Sequence, residues 1–477
     1  MSSSSPVRIL GVTHVLPDQA ATSSAQPLPD DGVVKLSFMD SLFIARVPMQ
    51  RLFFYEGPDV PPFPSLVCSL RSSLAAVLGV FLPLAGKVTY RASAGDVVVD
   101  CSLGAVSPGV RFVEAEYAGS IDDMHRLAAG EEHDLEALTQ LGPELKVGRL
   151  PAPVLAVQVT RPAVGDGRAA VVGVAVHHAV ADGHSVWQFM KAWSSVSRRE
   201  CSPPTTADLA PPTFDRAVIR YPRADDVARK MLRAIAPALP VARSPSLCSP
   251  LDQRRRSFLL RAGEIRAVKE LIRSQSEATG EHRDTHPGTY VAVSSLAWTS
   301  IVRAKPQLDP ADEVYLLVPV DLRRRLDPPV DERYFGNCIV PCFARAAVRD
   351  LRDGDGGAGL ARAAAAIRDA VRARLERDPL GGVEGSLDAF AAVPGDRLTF
   401  TGSSNRFMAY ETDLGWGAPS RVELVSLFTR ELVLLLGAEG GGVQVAAALD
   451  HAIMEDFAAS LTRFSARGHG APQGRVC

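Results

Sequence analysis

The stretch 169-AAVVGVAVHHAVADGHSVWQFMKAWSSVS-197 decides the fold class of this chain. Ala169 to Val176 is an unbroken apolar run, which predicts a strand covered on both faces. From His184 to Ser197, Val186, Phe189, Met190 and Trp193 recur at helical spacing. Between the two lies HHAVADG. A strand joined to a helix by a short loop is the repeating unit of α/β proteins, and that junction is where they present functional side chains. Ala179, Ala181 and Gly183 are small enough to let a ligand approach and to permit an unusual backbone turn.

The same alternation continues outward. Leu66 to Phe81 reads as a helix with Leu70, Leu74, Val77 and Leu78 on one face, ended by Pro83 and Gly86. Ala152 to Thr160 alternates as a strand does. Val291 to Ser300 suits a buried helix, Val314 to Val320 a strand, and Leu360 to Glu376 an alanine-rich helix. Glu431 to Leu436 and Val443 to Leu449 flank GAEGGG, a hairpin signal, and His451 to Phe464 predicts a closing helix. The class is therefore mixed α/β. Glu200 to Pro222 is rich in Pro, Ser and Thr and lacks periodicity, which reads as a crossover (206–225) between an N-terminal domain (1–205) and a C-terminal domain (226–477) of similar size.

Composition narrows the function classes. The 477 residues are 46% apolar and 22% charged with a net charge of −2, which excludes general disorder. With 52 basic against 54 acidic side chains and 6% aromatics, neither nucleic acid nor an anionic membrane is expected as a partner. No run of about 18 apolar residues stands out as a membrane span. The serine run at Met1 to Pro6 resembles no secretory or transit signal, so a cytoplasmic location is expected. The seven cysteines (68, 101, 201, 248, 338, 342 and 477) are scattered and suit reduced, buried thiols, with no metal centre implied.

Two His-x-x-x-Asp spacings occur. His14–Asp18 contains Pro17, lies in a polar approach and reads as surface. His178–Asp182 follows the buried strand directly. A neutral imidazole there suits proton abstraction from a hydroxyl or amine, with Asp182 fixing local geometry through backbone or an arginine. On these residues alone, a satisfied core histidine with a capping aspartate is the better fit. His177 reads as a packing neighbour, His184 as a helix cap, and Trp187 with Trp193 as core.

Further motifs bear on that choice. HHAVADG resembles the His-x-x-x-Asp motif of the plant BAHD acyltransferases, and Asp413-Leu414-Gly415-Trp416-Gly417 resembles their Asp-Phe-Gly-Trp-Gly signature, with Leu414 for Phe. Tyr334-Phe335-Gly336-Asn337-Cys338 matches the YFGNC motif of the flavonoid and phenolic-glucoside malonyltransferase branch. VDLRRRLDPPV (Val320 to Val330), YETD (Tyr410 to Asp413) and PPTFDRAVI (Pro211 to Ile219) resemble the same branch. The similarity runs from about Val12 to Phe464.

The resemblance implies two chloramphenicol-acetyltransferase-like domains, each a mixed sheet with flanking helices, with a channel between them. It implies a monomer with no permanently bound cofactor, acyl-CoA as co-substrate and a small-molecule acceptor. His178 would be the general base, and the acceptor would attack the thioester directly, with no acyl-enzyme. Asp182 would pair with Arg323 or, failing that, Arg325, and Asp413 would be mainly structural. Ser403 and Ser404 would lie near the oxyanion, and Ser294, Ser295, Trp416 and Gly417 near CoA, with Asn337 in support. Arg254-Arg255-Arg256 is a basic run of the kind that usually faces solvent. The branch implies malonyl-CoA as donor and a sugar hydroxyl of a phenolic glucoside as acceptor. A malonyl carboxylate needs a cation, for which Arg46, Arg51 and Arg333 stand open. Acetyl or hydroxycinnamoyl donors, an amine acceptor, or a silent acyl-CoA or phenolic binding protein are the alternatives.

Overall fold

The computed structural model of the chain describes residues 6–24, 28, 32–129, 134–199, 206, 209–242, 253–278, 286–353, 357–426 and 429–468; Cys201, Cys248 and Cys477 lie outside them. Two compact units result. The first comprises Met1–Ser246, Asp321–Ile339 and Ala409–Phe428, and the second Leu247–Val320, Val340–Met408 and Thr429–Cys477. A single linear boundary at 206–225 does not describe this arrangement. The chain re-enters the first unit twice, bringing YFGNC and DLGWG with it. Residues 209–225 also belong to that unit, with Phe214 and Arg216 buried. Aperiodic, proline-rich sequence looks like a linker, yet here it fills part of a core.

The first unit is built on a six-stranded sheet in the order Val7–Val15, Val110–Tyr117, Leu155–Pro162, Ala169–Val176, Met49–Glu56, Arg421–Leu424. Ala169–Val176 is buried at every residue, as its apolar run predicts. Its neighbours on both sides are antiparallel, with Leu155 opposite Val176 and Arg51 opposite Val174. Full burial therefore comes from a central position with both faces covered, not from parallel pairing. The predicted strand at Ala152–Thr160 is two pieces, Ala152–Pro153 and Leu155–Pro162. Met49–Glu56 sorts its side chains by alternation. Leu52 and Phe54 join a core with Met124, Leu138, Leu141 and Val171. On the other face Phe53 meets Trp187 and Tyr55 meets Trp416, edge to face.

The predicted helix at 66–81 is Phe63–Val80, extended at its start because Pro64 is tolerated in a first turn. At 18 residues it has the length and apolar composition of a membrane span, although no such run stands out in the sequence. More than half of it is buried against this unit, as expected of a core helix. The edge strand Val7–Val15 carries His14 at the surface.

The second unit has its own six-stranded sheet, in the order Gln253–Leu260, Val443–Asp450, Leu432–Gly437, Leu398–Ser404, Glu313–Asp321, Ile339–Ala347. The predicted hairpin forms, with Leu432 opposite Ala448. Helices Thr289–Arg303, Gly357–Arg377 and His451–Gly468 stand where periodicity placed them. Leu296, Ile301, Leu360, Leu435, Leu449 and Phe457 share one core, each worth roughly 1.5–3 kcal/mol when fully buried. The basic run is not a solvated patch: it lies in strand Gln253–Leu260, with Arg255 buried and Arg254 and Arg256 paired with Glu455.

Candidate active site

The Ala169–Val176 strand ends by passing one more sheet bond, His177 N–H to the Val154 carbonyl at 2.8 Å. The chain then turns, the Val180 N–H donating to the His177 carbonyl at 3.0 Å. Asp182 takes the extended conformation of a helix N-cap, and its Oδ1 accepts from the Ser185 N–H at 2.9 Å, opening the helix Gly183–Ser197. The cap is thus Asp182 and not His184, whose Nε2 lies 2.9 Å from the Glu332 carbonyl. Asp–x–x–Ser before an apolar helix is a local signal for such a cap.

Asp182 is fully buried, and so, at 2% exposure, is Arg323. Arg323 Nη1 donates to Oδ2 at 2.8 Å and Nη2 to Oδ1 at 3.1 Å, while the Cys338 N–H donates to Oδ2 at 3.1 Å. Burial pushes the Asp182 carboxyl up, but the Arg323 charge and these hydrogen bonds outweigh it and hold the group below its ordinary range. Arg325 is exposed, so of the two expected partners only Arg323 reaches Asp182.

The YFGNC segment closes over this pair. Gly336 accepts from Arg323 Nη2 at 2.9 Å and from Ser185 Oγ at 3.0 Å. A Cβ at Gly336 would stand 2.7 Å from Arg216 Cζ and from the Tyr334 hydroxyl, so only glycine fits. PPTFD runs beside the motif: the Phe335 N–H donates to the Thr213 carbonyl at 2.9 Å. From the same segment Arg216 Nε donates to Asp40 Oδ2 at 3.1 Å and Nη2 to the Val180 carbonyl at 3.1 Å. Asn337 Nδ2 donates both to Asp40 Oδ1 and to the His178 carbonyl, each at 2.9 Å. Asp40, Arg216 and Ser185 were not singled out in the sequence. The one available signal was Ser37–x–x–Asp40, which here forms a capping box.

His178 is half-buried, and the Phe43 ring stacks on its imidazole with centroids 4.0 Å apart and planes within 7°. Its Nδ1 is buried without a well-formed hydrogen bond. Burial lowers the ring to about 4; its own carbonyl and the Asp182 charge oppose this, and the Arg51 and Arg46 charges reinforce it. His177 is fully buried, its Nδ1 accepting from the Ala179 N–H at 3.2 Å, and burial lowers it to about 3. Both rings are neutral at physiological pH.

The DLGWG segment is a loop clamp on the far end of the same helix. Asp413 Oδ1 accepts from the N–H groups of Gly415, Trp416 and Gly417 at 2.8, 3.1 and 2.9 Å. Gly415 and Gly417 have φ of +102° and +89°, which favours glycine. The Asp413 carbonyl accepts from Ser194 Oγ at 2.6 Å and the Thr412 carbonyl from the Tyr55 hydroxyl at 2.6 Å. Leu414 is buried, so the apolar filler role of the family Phe is kept.

The remaining residues fall elsewhere. Ser294, Ser295, Ser403 and Ser404 belong to the second unit. Ser294 and Ser295 are fully buried, and Ser295 Oγ donates to the Val291 carbonyl at 2.7 Å. Ser403 holds φ +59°, a left-handed conformation uncommon for serine, and Ser404 Oγ accepts from the Arg406 N–H at 3.2 Å. Arg333 is exposed and tied to Asp331 at 2.6 Å. Of the described cysteines, Cys101, Cys338 and Cys342 are buried free thiols, whereas Cys68 is exposed.

The fold is thus mixed α/β, with a His-x-x-x-Asp loop clamped at the junction of a buried strand and a helix. The Transferase family model matches residues 18–463, and the chain belongs to that family, the BAHD acyltransferases. Phenolic glucoside malonyltransferase 2 of Arabidopsis thaliana is 29% identical, over 88% of this chain and 91% of that one. The Arabidopsis malonyl-CoA:anthocyanidin 5-O-glucoside-6''-O-malonyltransferase is also 29% identical, over 95% and 97%. In fold the chain resembles vinorine synthase, with a TM-score of 0.72 at 22% identity over 94% of this chain and 96% of that one.

Proposed function

We propose that this enzyme transfers malonyl from malonyl-CoA to a sugar hydroxyl of a flavonoid or other phenolic glucoside, with His178 as general base. The observation carrying the reading is the half-buried, neutral imidazole held flat on Phe43, beside an aspartate wholly engaged by Arg323 and backbone. Nδ1 is enclosed, so Nε2 takes the hydroxyl proton as the oxygen attacks the thioester carbonyl. The C–O bond forms, the tetrahedral oxyanion collapses, the C–S bond breaks, and the imidazolium proton leaves with CoA thiolate. General-base assistance contributes about 10²–10⁴ in rate. The malonyltransferase relatives support the donor and acceptor classes. Initial rates with malonyl-, acetyl- and coumaroyl-CoA on a phenolic glucoside test it, with products weighed by mass spectrometry. Malonyl-CoA should be fastest and His178→Ala nearly inactive with CoA binding retained. Equal or faster transfer of the other acyl groups overturns the donor, and an active His178→Ala overturns the base.

A further inference from the structure

Strand Met49–Glu56 places Arg51 on the face it shares with Phe53 and Tyr55, toward the helix that Asp182 caps. There Arg51 is only 6% exposed. Its guanidinium carbon lies 5.5 Å from the Trp187 ring centre, and Nη2 lies 3.9 Å from Met49 Sδ. Nε has no hydrogen-bond partner, and no carboxylate among the described residues pairs with the group. A second arginine, Arg46, is half-buried three residues beyond the Phe43 that covers His178, likewise without a carboxylate among the described residues. The two contrast with the other buried arginines of this unit, since Arg216 and Arg323 each face an aspartate. A desolvated cation without a counter-ion is costly in a folded protein unless an anion joins it. Arg46 follows Phe43, whose ring covers His178, and Arg51 packs on Trp187 of the helix that Asp182 caps, so an anion held by these two groups would lie next to the loop that carries the candidate base.

We propose that Arg51, assisted by Arg46, binds the free carboxylate of a dicarboxylic acyl-CoA and so selects malonyl over acetyl donors. This rests on the donor reading given above and assigns its missing cation. Of the three arginines the sequence left open, Arg333 is held at the surface by Asp331, while Arg51 and Arg46 are available. In a malonyl thioester the carboxylate is one methylene from the reacting carbonyl, so anchoring it also aims that carbonyl at His178. Charge coupling adds a second effect. The arginines oppose protonation of His178; a bound carboxylate offsets them and strengthens the base when its donor is in place. An acetyl group offers no such compensation.

The test is steady-state kinetics of full-length wild type, Arg51→Gln, Arg51→Lys and Arg46→Gln with malonyl-CoA and acetyl-CoA on one phenolic glucoside, with thermal midpoints recorded. For Arg51→Gln the malonyl-to-acetyl ratio of kcat/KM should fall by roughly 30-fold or more, as when one partner of a buried charge pair is removed. Arg51→Lys should restore part of it, and Arg46→Gln should give a smaller fall. The acid limb of the acetyl reaction should move upward in pH in Arg51→Gln, because a cation near the ring has gone. Equal losses with both donors overturn the inference, pointing to packing or to a CoA phosphate contact common to both. Unchanged ratios in both glutamine variants overturn it as well. A wild type that uses acetyl-CoA and not malonyl-CoA overturns the donor reading and this inference together, whereas a malonyl-preferring wild type with unmoved variants overturns this inference alone.

Discussion

Replacing Asp182 by Asn removes one charge from a pair in which neither side chain is more than 2% exposed. Arg323 loses its counter-charge and one of two bonds, at 2.8 or 3.1 Å, because the new amide NH2 confronts either Nη1 and the Cys338 N–H or Nη2 and the Ser185 N–H. Breaking a buried pair in this way costs about 3–5 kcal/mol. The lower end applies, because Arg323 keeps Asp321 at 3.2 Å and the carbonyls of Tyr334 and Gly336. A loss of about 3 kcal/mol lowers the thermal midpoint by roughly 6–12 °C for a domain of this order of size. Activity should fall about 10–100-fold alongside, because the loop carrying His178 is held by the same bonds. The double substitution Asp182→Leu with Arg323→Met should melt above either single one, since an apolar pair leaves no orphaned charge. Differential scanning calorimetry and initial rates on the same samples decide it. An Asp182→Asn enzyme with an unchanged midpoint and a thousandfold lower kcat refutes the reasoning, for the carboxylate would then be acting on the imidazole itself.

Three further outcomes follow from the same geometry. Asp413→Asn keeps an oxygen for the three N–H groups of its loop, so it should stay within a few-fold of wild type, whereas Asp413→Ala leaves three donors short at about 1 kcal/mol each; equal damage from both points to proton transfer by Asp413. Asn337→Ala deprives the His178 carbonyl and Asp40 of their 2.9 Å donor, a loss of about 1–3 kcal/mol, and kcat should drop roughly tenfold with both KM values little changed; an unaltered kcat in a folded variant contradicts this. His177 and His178 sit near 3 and 4, below the ordinary 6.5 of the unfolded chain, so the unfolded state takes up more protons as pH falls from 6.5 toward those values. Stability should decline over that window by up to about 1.4 kcal/mol per pH unit per histidine, and His177→Asn should flatten the slope seen in urea midpoints.

Elements with a period were legible in the sequence, and partners across long separations were not. Ala169–Val176, the helix after it and the hairpin Leu432–Asp450 followed from apolar runs, helical spacing and a glycine-rich turn. The Asp182 role was half-visible: the family resemblance offered Arg323 first and Arg325 second, and the turn at 321–323 decides between them, since the Arg323 N–H binds Asp321 while Arg325 is left outside. Asp40, Arg216 and Asn337 form one network although Asp40 is 176 residues from Arg216 and 297 from Asn337. Hydrophobic periodicity says which face a residue occupies, not whom it meets. Residues 206–225 misled for the same reason, because Arg216 works by its hydrogen bonds and not by its place in a pattern.

The site orients its imidazole without a carboxylate on the ring. Every favourable direction around Asp182 is taken by Arg323, the Ser185 N–H and the Cys338 N–H, so the ring is fixed by the Phe43 stack and by Asn337 holding the His178 carbonyl. That arrangement leaves a weak base, near 4 in the free protein. Weakness is tolerable in this chemistry. The leaving group is a thiolate, whose parent thiol has an ordinary pKa of about 8.5, so its departure needs no strong acid. Burial is the main cause of the low value and the Arg51 and Arg46 charges add to it, so under the donor assignment proposed above a bound carboxylate would offset only the arginine part. A carboxylate on the imidazole would instead raise the ring permanently, by favouring its charged form.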